Sequence, residues 1–194
     1  MKRFFDILAS TVGLVLLSPL LLLISVVVRL DSHGPVFYRQ VRVGLHNRDF
    51  RIFKFRTMYV DSDRGSLVTI GSRDPRITRT GAILRKFKLD ELPQLINVFL
   101  GQMSLVGPRP EVRYYVDLWS HDQMHVLDVR PGITDPASIK FINENELLAA
   151  AHDPERYYIE VIMQEKLKLY LEYVGHHTFW GDILIIFKTL GKIL

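Results

Sequence analysis

The sequence predicts an α/β, mainly helical, membrane-associated protein, on three observations. An uncharged apolar run fills 7–28, a basic segment at 35–58 alternates like a small β-hairpin, and an amphipathic, aromatic-bearing stretch occupies 178–194. The 194 residues suffice for one domain plus an anchor, read here as 1–30 and 31–194. The balance of 25 Lys and Arg against 21 Asp and Glu gives a net charge of +4. That excess is too small and too scattered for nucleic-acid binding, and no recognition motif accompanies it. With no cysteine, a disulfide framework, a Cys-zinc site and a thiol nucleophile are all excluded.

The N-terminal run, ILASTVGLVLLSPLLLLISVVV, is longer than the ~20 residues a helix needs to cross the hydrocarbon core. No small-residue cleavage site follows it, so an uncleaved anchor is expected. Ser18 and Pro19 stand mid-run, where proline removes a helical hydrogen bond. Lys2, Arg3 and Arg29 flank both ends, so charge alone assigns no orientation. A kinked spanning helix and a re-entrant helix-break-helix satisfy these facts equally.

In the hairpin, VFYRQVRV and FRIFKFRTM alternate basic residues with β-branched and aromatic ones around the turn-like GLHNRD. The stretch 60–75, rich in Asp, Ser, Gly and Arg, reads as a mobile loop. Helical periodicity follows near 80–87, 91–100, 111–126 and 155–173, with loops expected at 101–110 and 130–139. In 178–194 the residues Phe179, Trp180, Ile183, Ile186, Phe187 and Leu190 gather on one side, away from Asp182, Lys188 and Lys192. Such a helix either lies in a membrane interface or packs on the protein's own core.

The segment 84–110, LRKFKLDELPQLINVFLGQMSLVGPRP, carries the most pointed chemistry. Asp90 and Glu91 precede Pro93 at a helix start, where acids serve as caps and complement the helix dipole. Adjacent carboxylates also suit a divalent cation, or a nucleophile with a charged neighbour. Arg85, Lys86 and Lys88 precede the pair, Arg109 sits in a Pro-flanked loop, and Lys54 and Arg56 lie on the hairpin. Arginine in a rigid loop favours bidentate phosphate recognition. Acids, arginines and an anchor together point to phosphoryl chemistry near a lipid surface. His121 and His125 have the helical spacing of a metal pair but lack a third ligand, and His176-His177 beside Trp180 suits an interface. No Walker, dinucleotide-binding or serine-hydrolase motif is present.

These pieces, in this order, resemble the bacterial sugar transferases, the small monotopic phosphoglycosyl transferases. The resemblance rests on KRFFDI with the Ser18-Pro19 segment, GPVFYRQVRVG, FKFRTM, DPRITRTGAILRK, LDELPQLINVFLGQMSLVGPRPE, RPGIT and the aromatic-apolar C-terminus. It implies transfer of a sugar 1-phosphate from a UDP-sugar to undecaprenyl phosphate with release of UMP, the first membrane step of glycan assembly. It further implies Asp90 as nucleophile, forming a phosphosugar-aspartate, with Glu91 and Mg²⁺ assisting and both acids as metal ligands. Arg109 and Arg85, then Arg56 and Lys54, are implied for the phosphates. The family also implies the re-entrant anchor broken at Ser18-Pro19 and a bacterial inner-membrane location on the cytoplasmic face. The amphipathic surfaces leave room for a homodimer. After Thr134 the chain departs from the family's usual G-W-A-Q continuation, so no sugar or uracil contacts carry over there. A non-catalytic scaffold, in which the acids only cap a helix, and a lipid-phosphate hydrolase are the rival readings.

Overall fold

A computed structural model describes residues 1–60 and 74–193. Most of the expected 60–75 loop, residues 61–73, therefore lies outside the described residues.

Lys2–Asp31 forms one 30-residue helix, α1. The break expected at Ser18-Pro19 does not interrupt it, and the reason is local. Proline cannot donate to the Val15 carbonyl four residues back, but the Ser18 hydroxyl donates to that same carbonyl at 2.7 Å. One flank of α1 lies against the body at both ends. Lys2 Nζ donates to Asp182 and to the Tyr173 hydroxyl, each at 2.6 Å, and to the Val106 carbonyl at 2.9 Å. Buried Asp6 accepts from the Ser104 hydroxyl at 2.9 Å and the Leu105 amide at 3.1 Å. At the far end Ile24 and Val28 pack with Phe55 and Leu84. The other flank leaves Phe4, Leu16, Leu22 and Leu30 bare. Among the described residues α1 alone is long and apolar enough to cross a membrane, and its bare flank fits a membrane-associated protein.

The basic hairpin forms with one continuous register. Strand β1 (Phe37–Tyr38) pairs antiparallel with β4 (Lys54–Phe55), and β2 (Val41–Val43) with β3 (Asp49–Arg51). The ladder lapses between the two pairs, where the chain turns to other partners. Its tip is a tight turn in which His46 and Asn47 take φ of 55° and 60°.

Helix α2 (Arg79–Lys86) starts at Thr78, whose hydroxyl accepts from the Gly81 amide at 2.9 Å. A 3-10 turn at Leu89–Glu91 leads to α3 (Gln94–Phe99). The two expected loops each contain a strand. Strand β5 (Ser104–Val106) pairs in parallel with β6 (Gly132–Thr134). Their backbones come so close that a Cβ on Gly132 would lie 2.1 Å from the Gly107 amide nitrogen.

The helix expected over 111–126 splits into α4 (Arg113–Val116) and a 3-10 segment, Asp122–Asp128. Ser120 and Gln123 bond reciprocally, backbone amide to side chain, at 2.8 and 3.3 Å, which starts a new helical turn. Helix α5 (Pro136–Lys140) is capped by Asp135, which accepts from the Ser138 amide at 2.8 Å, and α6 spans Glu144–Ala150. The helix expected at 155–173 runs as α7 (Pro154–Tyr157), a π-helical turn (Tyr158–Ile162) and α8 (Met163–His176). The largest core gathers here, around Val112, Tyr115, Leu148, Ile162 and Leu167. Each fully buried aliphatic side chain contributes about 1.5–3 kcal/mol.

Helix α9 (Phe179–Ile193) departs from the one-sided reading. Trp180, Leu184 and Phe187 are exposed, whereas Asp182 faces inward, held by Lys2 and by the Tyr173 hydroxyl at 2.7 Å. The charge is buried because its counter-ion arrives from the start of α1. His177 stacks on Tyr173 rather than on Trp180, at 5.2 Å between ring centres.

Candidate active site

A cavity of about 1150 Å³ opens between the hairpin, the turn that carries the acidic pair, the segment after β5 and the α5–α8 region. Four elements converge on it. The kink after α2, where Lys88 takes a φ of 55°, swings the 3-10 turn inward and buries Asp90. The hairpin is fastened to α3 by Asn97, which lies fully buried. Its side chain accepts from the Phe53 amide at 2.8 Å and donates to the Arg51 carbonyl at 2.9 Å. Those bonds fill the lapse in the ladder and set Lys54 over Glu91. Gly107 allows the segment after β5 to press against residues 130–132, since a Cβ there would meet the Arg130 carbonyl at 2.4 Å. That contact aims Arg109 at the same carboxylate.

Glu91 is the hub of the site. Its Oε1 accepts from Lys54 Nζ at 2.7 Å and from Arg109, and its Oε2 accepts from Arg109 at 3.2 Å. Burial pushes this carboxyl up, but the charges and hydrogen bonds of Arg109 and Lys54 outweigh it and hold it well below the usual carboxylate range. Arg109 is driven upward by the same pairing. Lys54 is lowered by burial, against the pull of Glu91.

Asp90 is the opposite case. It is 8% exposed, and its Oδ1 has no hydrogen-bond partner. Burial raises its carboxyl above the usual value; Lys54 opposes that shift and the charge of Glu91 adds to it. Neither the 3-10 turn nor α3 has a side-chain cap, so the capping role that sequence alone offers for Asp90 is not what holds it there. A buried carboxylate oxygen without a partner calls for another explanation.

The other expected phosphate contacts divide. Arg85 lines the cavity with its Nε donating to the Thr57 hydroxyl at 2.9 Å, and its charge acts on Asp90. Arg56 lines the cavity too, but its guanidinium turns to the end of α1. There it donates to the carbonyls of Val28 at 3.2 Å, Ser32 at 2.7 Å and His33. Cations favour helix carboxyl ends, which accounts for that placement. His125 stands apart on an exposed surface, 2.8 Å from Asp128.

Among the described residues no group of three or more His, Cys, Asp or Glu could hold a metal ion. Mg²⁺ needs less, because it keeps several waters and binds through one or two carboxylates plus substrate phosphates. Asp90 Oδ1 fits that requirement. Both Glu91 oxygens are taken by cations, so the structure does not offer Glu91 as the second ligand expected from sequence.

Several site residues escaped sequence reading, namely Asn97, Gln40, Arg42, Glu111, Tyr115 and Tyr158. Glu111 accepts from Arg42 at 3.1 Å, from the Val112 amide at 2.8 Å and from the Tyr158 hydroxyl. Its position directly after GPRP was the one signal available. Tyr158 comes from the π-helical turn, a feature frequent at functional sites and invisible in residue periodicity.

The family model described as bacterial sugar transferase matches residues 1–194. A UDP-N-acetylgalactosamine-undecaprenyl-phosphate N-acetylgalactosaminephosphotransferase of Aeromonas hydrophila is 41% identical over 100% of this chain and 43% of its own length. An undecaprenyl-phosphate glucose phosphotransferase of Komagataeibacter xylinus is 41% identical over 98% of this chain and 35% of its own. A UDP-glucose:undecaprenyl-phosphate glucose-1-phosphate transferase of Caulobacter vibrioides is 34% identical over 100% of this chain and 69% of its own. The chain thus spans less than half the length of the first two.

Proposed function

The chain belongs to the bacterial sugar transferase family, and on that premise we propose that it transfers a sugar 1-phosphate from a UDP-sugar to undecaprenyl phosphate, releasing UMP. One observation carries the reading: Asp90, buried with an unpartnered carboxylate oxygen, lies beside a carboxylate clamped by two cations. An Asp90 oxygen attacks the phosphorus that bears the sugar, and the bond from that phosphorus to the UMP oxygen breaks. A phosphate oxygen of the acceptor then attacks the same phosphorus, and the bond to Asp90 breaks. The two displacements use one site in turn, which predicts ping-pong kinetics.

Arg109, Lys54 and Arg85 lower the repulsion between a carboxylate and a diphosphate. Glu91 holds Arg109 and Lys54 in place instead of leaving them to the solvent. Asp90 would hold a Mg²⁺ ion, whose chemistry there would be to neutralise the charge of the donor diphosphate.

The bare flank of α1 and the exposed Trp180 and Phe187 of α9 support an enzyme seated in a bacterial inner membrane. Because both ends of the unbroken α1 are fastened to one body, the anchor 1–30 is better read as lying along that body within the cytoplasmic leaflet than as crossing the membrane. Residues 31–194 then form the catalytic domain. The relatives' donors carry different sugars, so the sugar here is a matter for assay.

The test is UMP release from a panel of UDP-sugars with undecaprenyl phosphate and Mg²⁺, using the full chain in micelles. Intact mass measured without acceptor should show the protein heavier by one sugar phosphate. Asp90→Asn should lower UMP release by at least about 10³-fold, the order of loss when a covalent nucleophile is removed. Undiminished turnover in Asp90→Asn would exclude the reading. Free sugar phosphate or inorganic phosphate formed without acceptor would point to a hydrolase instead.

A further inference from the structure

The cavity has a second polar region that the proposed chemistry does not use. Tyr115 lines it, is 3% exposed, and its hydroxyl has no partner. Arg42 lines it as well. One of its terminal nitrogens holds Glu111 at 3.1 Å, the other holds Gln40 at 2.6 Å, and its Nε is buried without a partner. The rings of Tyr115 and Tyr158 lie 4.8 Å apart, and Tyr158 is tied to Glu111.

Leaving a buried donor unpaired is costly, and two in one wall of one cavity are not explained by packing. The region is close to the phosphate-binding end. Glu111 follows Arg109 by two residues, so their backbones are separated by at most about 7 Å. A ring attached to a diphosphate held by Arg109 covers that distance. The charges there cancel, since Arg42 is paired with Glu111. A cation pole for phosphates next to a neutral pole with free donors matches a ligand whose diphosphate is joined to an uncharged, oxygen-rich ring.

We propose that Tyr115, Arg42 and Glu111 form a second subsite, which hydrogen-bonds an uncharged hydroxyl- or amide-bearing part of the donor next to its diphosphate. This rests on the transferase reading above. Two parts of a UDP-sugar have that chemistry, the sugar and the uridine. The Tyr115 hydroxyl and Arg42 Nε donate to acceptor oxygens on whichever is present, and Glu111, whose oxygens are taken by Arg42, the Val112 amide and Tyr158, fixes Arg42 in place.

The test is Tyr115→Phe in the full chain in micelles. The change deletes only the unpartnered hydroxyl, so the apparent melting temperature should hold or rise, which confirms a folded protein. UMP-release kinetics are measured with UDP-N-acetylgalactosamine and UDP-glucose, together with inhibition by added UMP. Loss of one hydrogen bond to the donor should raise KM about tenfold. An equal rise in the UMP inhibition constant assigns the contact to the uridine; an unchanged inhibition constant assigns it to the sugar. KM and inhibition constant both at wild-type values would overturn the subsite while leaving the transferase reading intact. A wild-type chain that releases UMP from no UDP-sugar would overturn that reading, and the subsite with it.

Discussion

Replacing Glu91 by Gln isolates the part of the site that is electrostatic rather than reactive. Gln keeps the volume and one acceptor oxygen, but presents an amide to one of the two cations that Glu91 now satisfies. The side chains of Glu91 and Lys54 are 13% and 19% exposed, and that of Arg109 is 35% exposed. Breaking a fully buried pair by removing one partner costs about 3–5 kcal/mol. Water screens the more open Arg109, so a loss of roughly 2–4 kcal/mol is expected. At about 2–4 °C per kcal/mol for a chain of this size, the melting temperature should fall by about 4–16 °C.

The assay is thermal unfolding in micelles across pH, wild type against Glu91→Gln. The folded carboxyl lies below its ordinary value of 4.5. Its stabilising share is therefore complete above that pH and is lost as pH falls through the folded value. The two proteins should differ by a constant margin at neutral pH and converge only under acid. A Glu91→Gln protein melting within about 2 °C of wild type at pH 7 would refute the idea that Glu91 organises the cations.

Three further outcomes follow from the same geometry. Burial lifts the Asp90 carboxyl above its ordinary value and Lys54 restrains that rise. On the proposed mechanism only the ionised form attacks, so activity should climb with pH along an acid limb, and Lys54→Met should shift that limb to higher pH. A pH–rate profile with an unmoved limb would count against the pairing. Gly132→Ala would drive a Cβ to 2.1 Å from the Gly107 amide nitrogen and force β5 from β6, with a loss of several kcal/mol visible in thermal unfolding. Gly175→Ala, in α8 with nothing within 4 Å of its Cβ, should instead stabilise by about 0.5–1 kcal/mol.

Much of this was legible in the order of residues. Alternating basic and aromatic residues gave the hairpin, and helical periodicity near 80–87 gave α2 to within a residue of its bounds. The apolar run gave α1, but the hydroxyl of Ser18 at the carbonyl freed by Pro19 meant that the expected break became continuous helix. Sequence periodicity could not show β5 and β6, because three-residue strands buried against α1 and α9 leave no alternating pattern. Ser120 and Gln123 were readable as a capping pair, yet the apolar spacing on either side masked the boundary between them. At the site, Asp90, Glu91, Lys54, Arg85 and Arg109 do line one cavity, as their clustering around the helix start suggested. Arg56 lines the cavity as well, but chemical type does not reveal that the end of α1, far back in sequence, lies within reach of its guanidinium. Asn97, Tyr115 and Tyr158 carried no signal at all, since their work depends on contacts across the fold.

Strand β4 has one more consequence. Lys54 lies in it and Arg56 follows it directly, one gripping the carboxylate of Glu91 and the other the carboxyl end of α1. The strand therefore sets the spacing, two residues or about 7 Å, between the cation at the apolar helix and the cation at the acidic pair. Two residues inserted between Lys54 and Arg56 would make those two grips incompatible, because Arg3, bonded to the Val98 and Phe99 carbonyls, holds α3 and the acids before it against α1 independently of the strand.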